Sequence, residues 1–266
     1  MTIAGGSMAP LAIGSCLRRG WRAFGQAPLR FMGFTLLGGV LNLIGQLAQN
    51  RGSDGLQQGG PAGYLFLALA GLAAGGASNI WLNVGLLRGN RIALAAGQPS
   101  FAELARWEGA AVLRLLGMAM LMLLVNALVL ITCGLVAGVM SLLTPVLGML
   151  ALVLGGAALL ILNASQVFQL PLLVVEGLGP VRAFQRGWSR KTRRWAPLYL
   201  LTLALHGLQV VMVLLVPTPF AALAVLLAVG LLIGWPVMVG TLMAGYSDLF
   251  GQGFVQGGIT RTLSER

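Results

Sequence analysis

Proton transfer, metal binding and nucleophilic attack all need carboxylates, histidine, cysteine or lysine brought to one place. This chain holds few of them. Its acidic residues are Asp54, Glu103, Glu108, Glu176, Asp248 and Glu265, and His206 is its single histidine. They show no metal-ligand spacing, and no nucleophile motif, phosphate loop or dinucleotide fingerprint accompanies them. Neither an enzyme nor a metal or other cofactor is expected. Cys16 and Cys133 lie on an amphipathic segment and in an apolar run respectively, so no disulfide is expected either.

The dense chemistry is basic. Arg182, Arg186, Arg190, Lys191, Arg193 and Arg194 crowd into thirteen residues. At about 100° per residue, Val181, Phe184, Trp188 and Trp195 share the face opposite the arginines, with only Lys191 near its aromatic edge, where its stem can snorkel. A helix over 180–195 with that pattern lies in the headgroup layer of an anionic membrane, its arginines on phosphates and its indoles setting depth. A second such helix is expected over 10–26, where Arg18, Arg19 and Arg22 oppose Ile13, Cys16, Leu17, Trp21 and Phe24. The connection around Trp107 is the poorest of the three, because Glu108 shares the face of Phe101 and Leu104. Anionic lipid is the expected partner, with other membrane proteins, reached through an acidic docking face, as an alternative. A role confined to fixing topology is the blandest reading. Nucleic acid is not expected, because the basic residues interleave with membrane-anchored aromatics.

These helices must be carried by something apolar. Of 266 residues 58% are apolar and 9% charged, against roughly 25% charged in a soluble domain. Too few charges exist to cover a water-facing surface, so one integral membrane domain over 1–266 is expected. Spans of about 20 apolar residues fit at 31–49, 64–87, 110–143, 146–176, 197–216 and 220–249. An aqueous loop is expected over 50–62, a tight turn at Thr144-Pro145, and a loose cytoplasmic tail over 251–266. The start of the chain carries its arginines after the apolar part, the reverse of a secretory signal, so the first span is expected to remain in place.

Six spans put sixteen of the seventeen Lys and Arg residues on one side and Arg51 alone on the other. That asymmetry points to the cytoplasmic membrane with both termini inside. The fold class expected is therefore all-α, with six transmembrane helices in three hairpins, each preceded by a cytoplasmic interfacial helix. Trp21, Trp107 and Trp188 lie 86 and 81 residues apart, which fits a three-unit internal repeat. Leu17-Arg18-Arg19-Gly20-Trp21, Leu104-Ala105-Arg106-Trp107 and Phe184-Gln185-Arg186-Gly187-Trp188 would be its markers.

The run Leu170-Pro171-Leu172-Leu173-Val174-Val175-Glu176-Gly177, followed by Gly179-Pro180 and Ala183-Phe184-Gln185-Arg186-Gly187-Trp188, resembles a signature of uncharacterised bacterial polytopic membrane proteins. These are relatives of the membrane domain attached to some glycerophosphoryl diester phosphodiesterases. The chain departs from the family pattern at Gly187, where Ser is usual, and at Arg193-Arg194, where Gly-Asn is common. The resemblance implies a six-span cytoplasmic-membrane protein without the phosphodiesterase chemistry, which belongs to a separate soluble domain.

An ionisable or polar group inside a span is a functional hint by default. His206 sits at mid-depth of the expected fifth span, and Asn163, Gln166 and Gln169 lie just before Pro171. A small-molecule or ion path through that proline break is the alternative function. Such groups also serve as interhelical glue, at an average of about 0.6 kcal/mol per hydrogen bond. Oligomeric state has no signature in the sequence.

Overall fold

The computed structural model describes residues 12–188, 197, 200 and 221–250. All regular structure among them is helical. The chain begins with α1 (Ile13–Gln26), which stops at Ala27 because Pro28 follows it; a residue before proline is pushed out of the helical region. Pro28 then opens α2 (Pro28–Gln57), where its missing N–H costs nothing.

α2 pairs with α3 (Gly63–Leu94) as an antiparallel hairpin held by glycine. A Cβ on Gly45 would meet the backbone nitrogen of Gly75 at 2.6 Å and the carbonyl of Gly71 at 2.9 Å. Backbones approach this closely only where small residues face each other. The same stacking continues past the apolar part, with Gly52 against Ala68 and Gly55 against the Tyr64 ring. The polar segment from residue 50 is therefore helical to Gln57, and the turn is only residues 58–62, with Gly59 at φ +74°. The expected aqueous loop over 50–62 is replaced by a helical extension about 12 Å long.

The connection after α3 contains α4 (Phe101–Ala105), closed by a capping box in which Ser100 and Glu103 exchange side-chain and backbone bonds. Arg88 of α3 pins this connection down. It donates to the carbonyls of Glu103 (2.9 Å) and Arg106 (3.0 Å) and pairs with Glu108 at 2.6 Å. Trp81 Nε1 donates to the Ala105 carbonyl at 2.8 Å from the same helix.

α5 (Gly109–Leu143) and α6 (Pro145–Ser165) form the second hairpin, turning on Thr144 alone. Thr144 is extended, as a residue before proline must be, and its Oγ1 accepts from the Leu147 N–H at 3.3 Å. The expected span 146–176 is interrupted at residues 166–168 and resumes as α7 (Gln169–Val174). Pro171 is the cause, since it has no N–H to give and its ring crowds the carbonyl of residue 167. α8 (Pro180–Gly187) follows, and α9 (Ala221–Phe250) is the last described helix, with Pro236 inside it. Asn90 of α3 is fully buried against that point, its Nδ2 donating to the carbonyls of Leu86 (2.9 Å) and Pro236 (3.2 Å).

The core sits at one end of the helices. Phe24, Phe31, Phe34, Leu86, Leu104, Met118, Phe168, Leu172, Met243 and Tyr246 are buried there, where α1, α4, α7 and α8 meet the ends of α2, α3, α5 and α9. Away from that end α5 and α6 expose Leu, Val, Ile and Met on every side, Leu128, Ile131, Leu135, Met149 and Val153 among them. Water would not tolerate such a surface, and a bilayer covers it without cost. Five described helices are long and apolar enough to cross a membrane: Pro28–Gln57, Gly63–Leu94, Gly109–Leu143, Pro145–Val174 and Gly230–Phe250. The chain is a multi-pass helical membrane protein. Apart from residues 197 and 200, the expected fifth span (197–216) lies outside the described residues, as do the distal half of the basic segment and the tail (251–266).

Candidate functional site

α1 does not lie alone on a surface. Cys16, Gly20, Ala23 and Phe24 are buried along one side of it, and that side packs on α9. Gly20 makes the approach possible, since a Cβ there would meet the Thr241 nitrogen at 2.6 Å and the Val237 carbonyl at 2.9 Å. Arg19, on the edge of this contact, forms an ion pair with Asp248 and donates to the Ala244 carbonyl at 3.3 Å. Cys16 Sγ donates to Asp248 at 3.7 Å. Burial pushes this thiol above its usual range, partly offset by the hydrogen bond from Arg19.

α8 repeats the arrangement in the same register. Ala183 and Gly187 are buried where α1 has Cys16 and Gly20. A Cβ on Gly187 would meet Gln166 Oε1 at 2.6 Å and the Ser165 carbonyl at 2.9 Å. Arg186 stands where α1 has Arg19 and reaches Glu176 at 3.4 Å, with its guanidinium 5.7 Å from the Phe250 ring centre. Tyr246, buried one turn before Phe250, donates its hydroxyl to the other oxygen of Glu176. The last turn of α9 thus holds both basic helices, α1 through Asp248 and α8 through Phe250 and the Tyr246–Glu176 bond.

The three tryptophans spaced along the sequence have nearly the same exposure: 57% for Trp21, 56% for Trp107 and 56% for Trp188. Trp21 is steadied by Phe24, ring centre to ring centre 6.0 Å. Each indole stands at the core end of the helices, beside arginines. Arg18, Arg22 and Arg182 are exposed and have no side-chain partner among the described residues. The basic residues of α1 and α8 therefore fall into two groups, Arg19 and Arg186 tied to carboxylates, and Arg18, Arg22 and Arg182 open to the outside. Arg190, Lys191, Arg193, Arg194, Trp195 and His206 lie outside the described residues.

The polar groups before Pro171 are not gathered into one place. Gln166 is buried and braces α8, with Nε2 donating to Ser165 Oγ (2.9 Å) and to the Phe184 carbonyl (3.2 Å). Asn163 is exposed and pairs across the second hairpin with Asn126 Oδ1 at 2.9 Å. The side-chain oxygens of Gln166 and Gln169 are buried without a hydrogen-bond donor. Glu103 is spent on its cap, where the Ser100 N–H holds its carboxyl below the usual carboxylate range. Among the described residues no three His, Cys, Asp or Glu side chains gather in a way that could hold a metal ion.

Sequence reasoning did not single out Asp248, Glu176 and Tyr246 as the groups that fasten the basic helices. A usable signal was present in the small residues four apart, Cys16 with Gly20 and Ala183 with Gly187, each on the face opposite the exposed tryptophan. Comparison of the chain with models of protein families, with curated proteins and with solved structures finds no match in any of the three.

Proposed function

We propose that this is a non-enzymatic multi-pass protein of a bacterial cytoplasmic membrane that organises anionic lipid, or membrane proteins bound with it, at its cytoplasmic side. Six spans in three hairpins, both termini inside, complete this reading, as does kinship with the membrane domain of the glycerophosphoryl diester phosphodiesterase relatives. The observation that carries it is the shared exposure of Trp21, Trp107 and Trp188 at one end of the helices, next to arginines without a side-chain partner among the described residues. Indoles at one depth define an interfacial plane. Arginines in that plane meet phosphates, each contributing about 1 kcal/mol near an anionic leaflet. The matched registers of α1 and α8 favour a genuine repeat for two of the three units; the third lacks the buried glycine, having Arg106 before its tryptophan.

The test is native mass spectrometry of the protein extracted with its own lipids, beside a variant in which Arg182, Arg186, Arg190, Lys191, Arg193 and Arg194 are Gln and another in which Arg18, Arg19 and Arg22 are Gln. Loss of anionic lipid in either variant is expected. Equal retention of anionic and zwitterionic lipid by all three forms would sink the reading.

A transport role has one specific observation in its favour, the two donor-less side-chain oxygens of Gln166 and Gln169 beside the α6–α7 break. Such a path requires a solute flux that Gln166→Leu abolishes while bound lipid stays unchanged.

A further inference from the structure

The geometry points to the outer face of α1, with Arg18 and Arg22 astride Trp21, as the principal phosphate-binding site for an anionic glycerophospholipid headgroup. This rests on the lipid-binding reading above and changes where its weight falls, from the basic segment after Pro180 to the first helix.

On a helix of about 3.6 residues per turn, Gly14, Arg18, Trp21, Arg22 and Gly25 fall within about 100° of arc, diametrically opposite Cys16, Gly20 and Ala23. The second set is buried on α9, so the first is held outward as a rigid face and not as a rolling surface helix. A Cβ on Gly14 or on Gly25 would meet nothing within 4 Å. The two arginines are therefore flanked by bare backbone at both ends of the face, which leaves the face open to a phosphate approaching from outside. Side chains one turn apart on a helix are neighbours, about 5–6 Å between their Cβ atoms. Two guanidinium forks at that separation can close on one phosphate group from both sides. Trp21, on the same face and braced by Phe24, sets the depth at which the glycerol backbone would lie.

Arg19 takes no part, because Asp248 and the Ala244 carbonyl already hold it. The same alignment shows why α8 is the lesser site. The positions matching Gly14, Arg18 and Trp21 are Val181, Gln185 and Trp188, and beside that face α8 offers Arg182 as its one open arginine where α1 offers two. Its arginine matching Arg19 is again tied, to Glu176.

The experiment uses the full chain in mixed micelles and counts bound phosphatidylglycerol against phosphatidylcholine by native mass spectrometry. Arg18→Gln and Arg22→Gln are each expected to weaken phosphatidylglycerol binding roughly fivefold, and the pair together roughly thirty-fold. Asp248→Asn, which frees Arg19 and adds no charge to the outer face, is expected to leave binding at or above the wild-type level. Unchanged binding in the double variant, with loss on replacing the six basic residues of 182–194, would overturn this site and keep the wider lipid reading. Unchanged binding in both would end both. Displacement of the lipid by millimolar inorganic phosphate would also overturn the assignment, marking the site as one for free phosphate.

Discussion

Asp248 in the last turn of α9 receives the guanidinium of Arg19, 229 residues earlier in the chain. Both side chains are about a third exposed, so solvent screens the pair and its contribution stays within about 1 kcal/mol. Asp248→Asn is expected to lower the melting temperature slightly and to raise amide hydrogen exchange in Ile13–Gln26 above that of any other helix. A uniform rise across the chain would contradict the latch.

Gly20 and Gly39 form a matched pair for testing the packing of α1. A methyl group on Gly20 drives into the backbone of α9, and overpacking of this kind costs about 1–3 kcal/mol. Gly39, exposed on α2, has open space at the same position, and Ala there gains up to about 1 kcal/mol from helix propensity. Thermal unfolding in one detergent should therefore move in opposite directions for Gly20→Ala and Gly39→Ala. Equal shifts would mean that α1 is not seated on α9 as described.

Glu103 gives the connection after α3 a pH dependence. Its folded carboxyl titrates below the usual glutamate range because the Ser100 N–H bonds the charged form. The group's stabilisation is complete above the ordinary carboxylate range and is lost as pH falls through the lowered value. Amide protection in Phe101–Ala105, corrected for intrinsic exchange, should hold from neutral pH to that range and drop below it. Ser100→Ala should remove the step altogether, and a step that survives this change would need another source.

Gln166 and Asn163 separate bracing from transport. Gln166→Leu removes two donated bonds, to Ser165 Oγ and to the Phe184 carbonyl, which keeps the Trp188 N–H at 3.1 Å; each lost bond costs about 0.5–1.5 kcal/mol net. Asn163→Leu breaks the bond to Asn126 on an exposed face and a local one to the Leu159 carbonyl of its own helix; the interhelical bond is worth about 0.6 kcal/mol. Melting temperatures checked on the two variants should differ clearly. A solute flux abolished by both, at unchanged stability, would favour the transport alternative.

The apolar runs were legible in the sequence because lipid asks only for length and hydropathy, and five of the expected spans have a helix on them. The end of α2 was not legible. Asn50 to Gln57 has a loop's composition, and what accompanies its helical form is the α3 backbone at Ala68 lying against Gly52 and the Tyr64 ring against Gly55, a pairing no single stretch of sequence displays. The break before α7 was half legible: Pro171 announced it, but the roles of Gln166 and Asn163, one buried in a brace and the other paired on an open face, depend on which way each side of α6 turns. At the candidate site, helical periodicity found the buried side of Cys16 and Phe24, but it put Trp21 with that side although its indole is exposed beside Arg18 and Arg22. It could not sort Arg18 and Arg22 from Arg19, because that distinction lies in Asp248, most of a chain away.

The clasp formed by the end of α9 also sets a clock. At synthesis rates of roughly 5–20 residues per second, Asp248 leaves the ribosome about 10 to 45 seconds after Arg19. Throughout that interval α1 has no seat, and its buried face of Cys16, Gly20 and Phe24 is open to whatever insertion machinery or lipid attends the nascent chain. The core end of the helices is thus closed in a single late step, when the helix carrying Asp248, Tyr246 and Phe250 enters the bilayer. A chain stopped short of that helix would leave α1 without Thr241 and Asp248 to pack on, while α8 would keep its ties to Gln166 and Glu176.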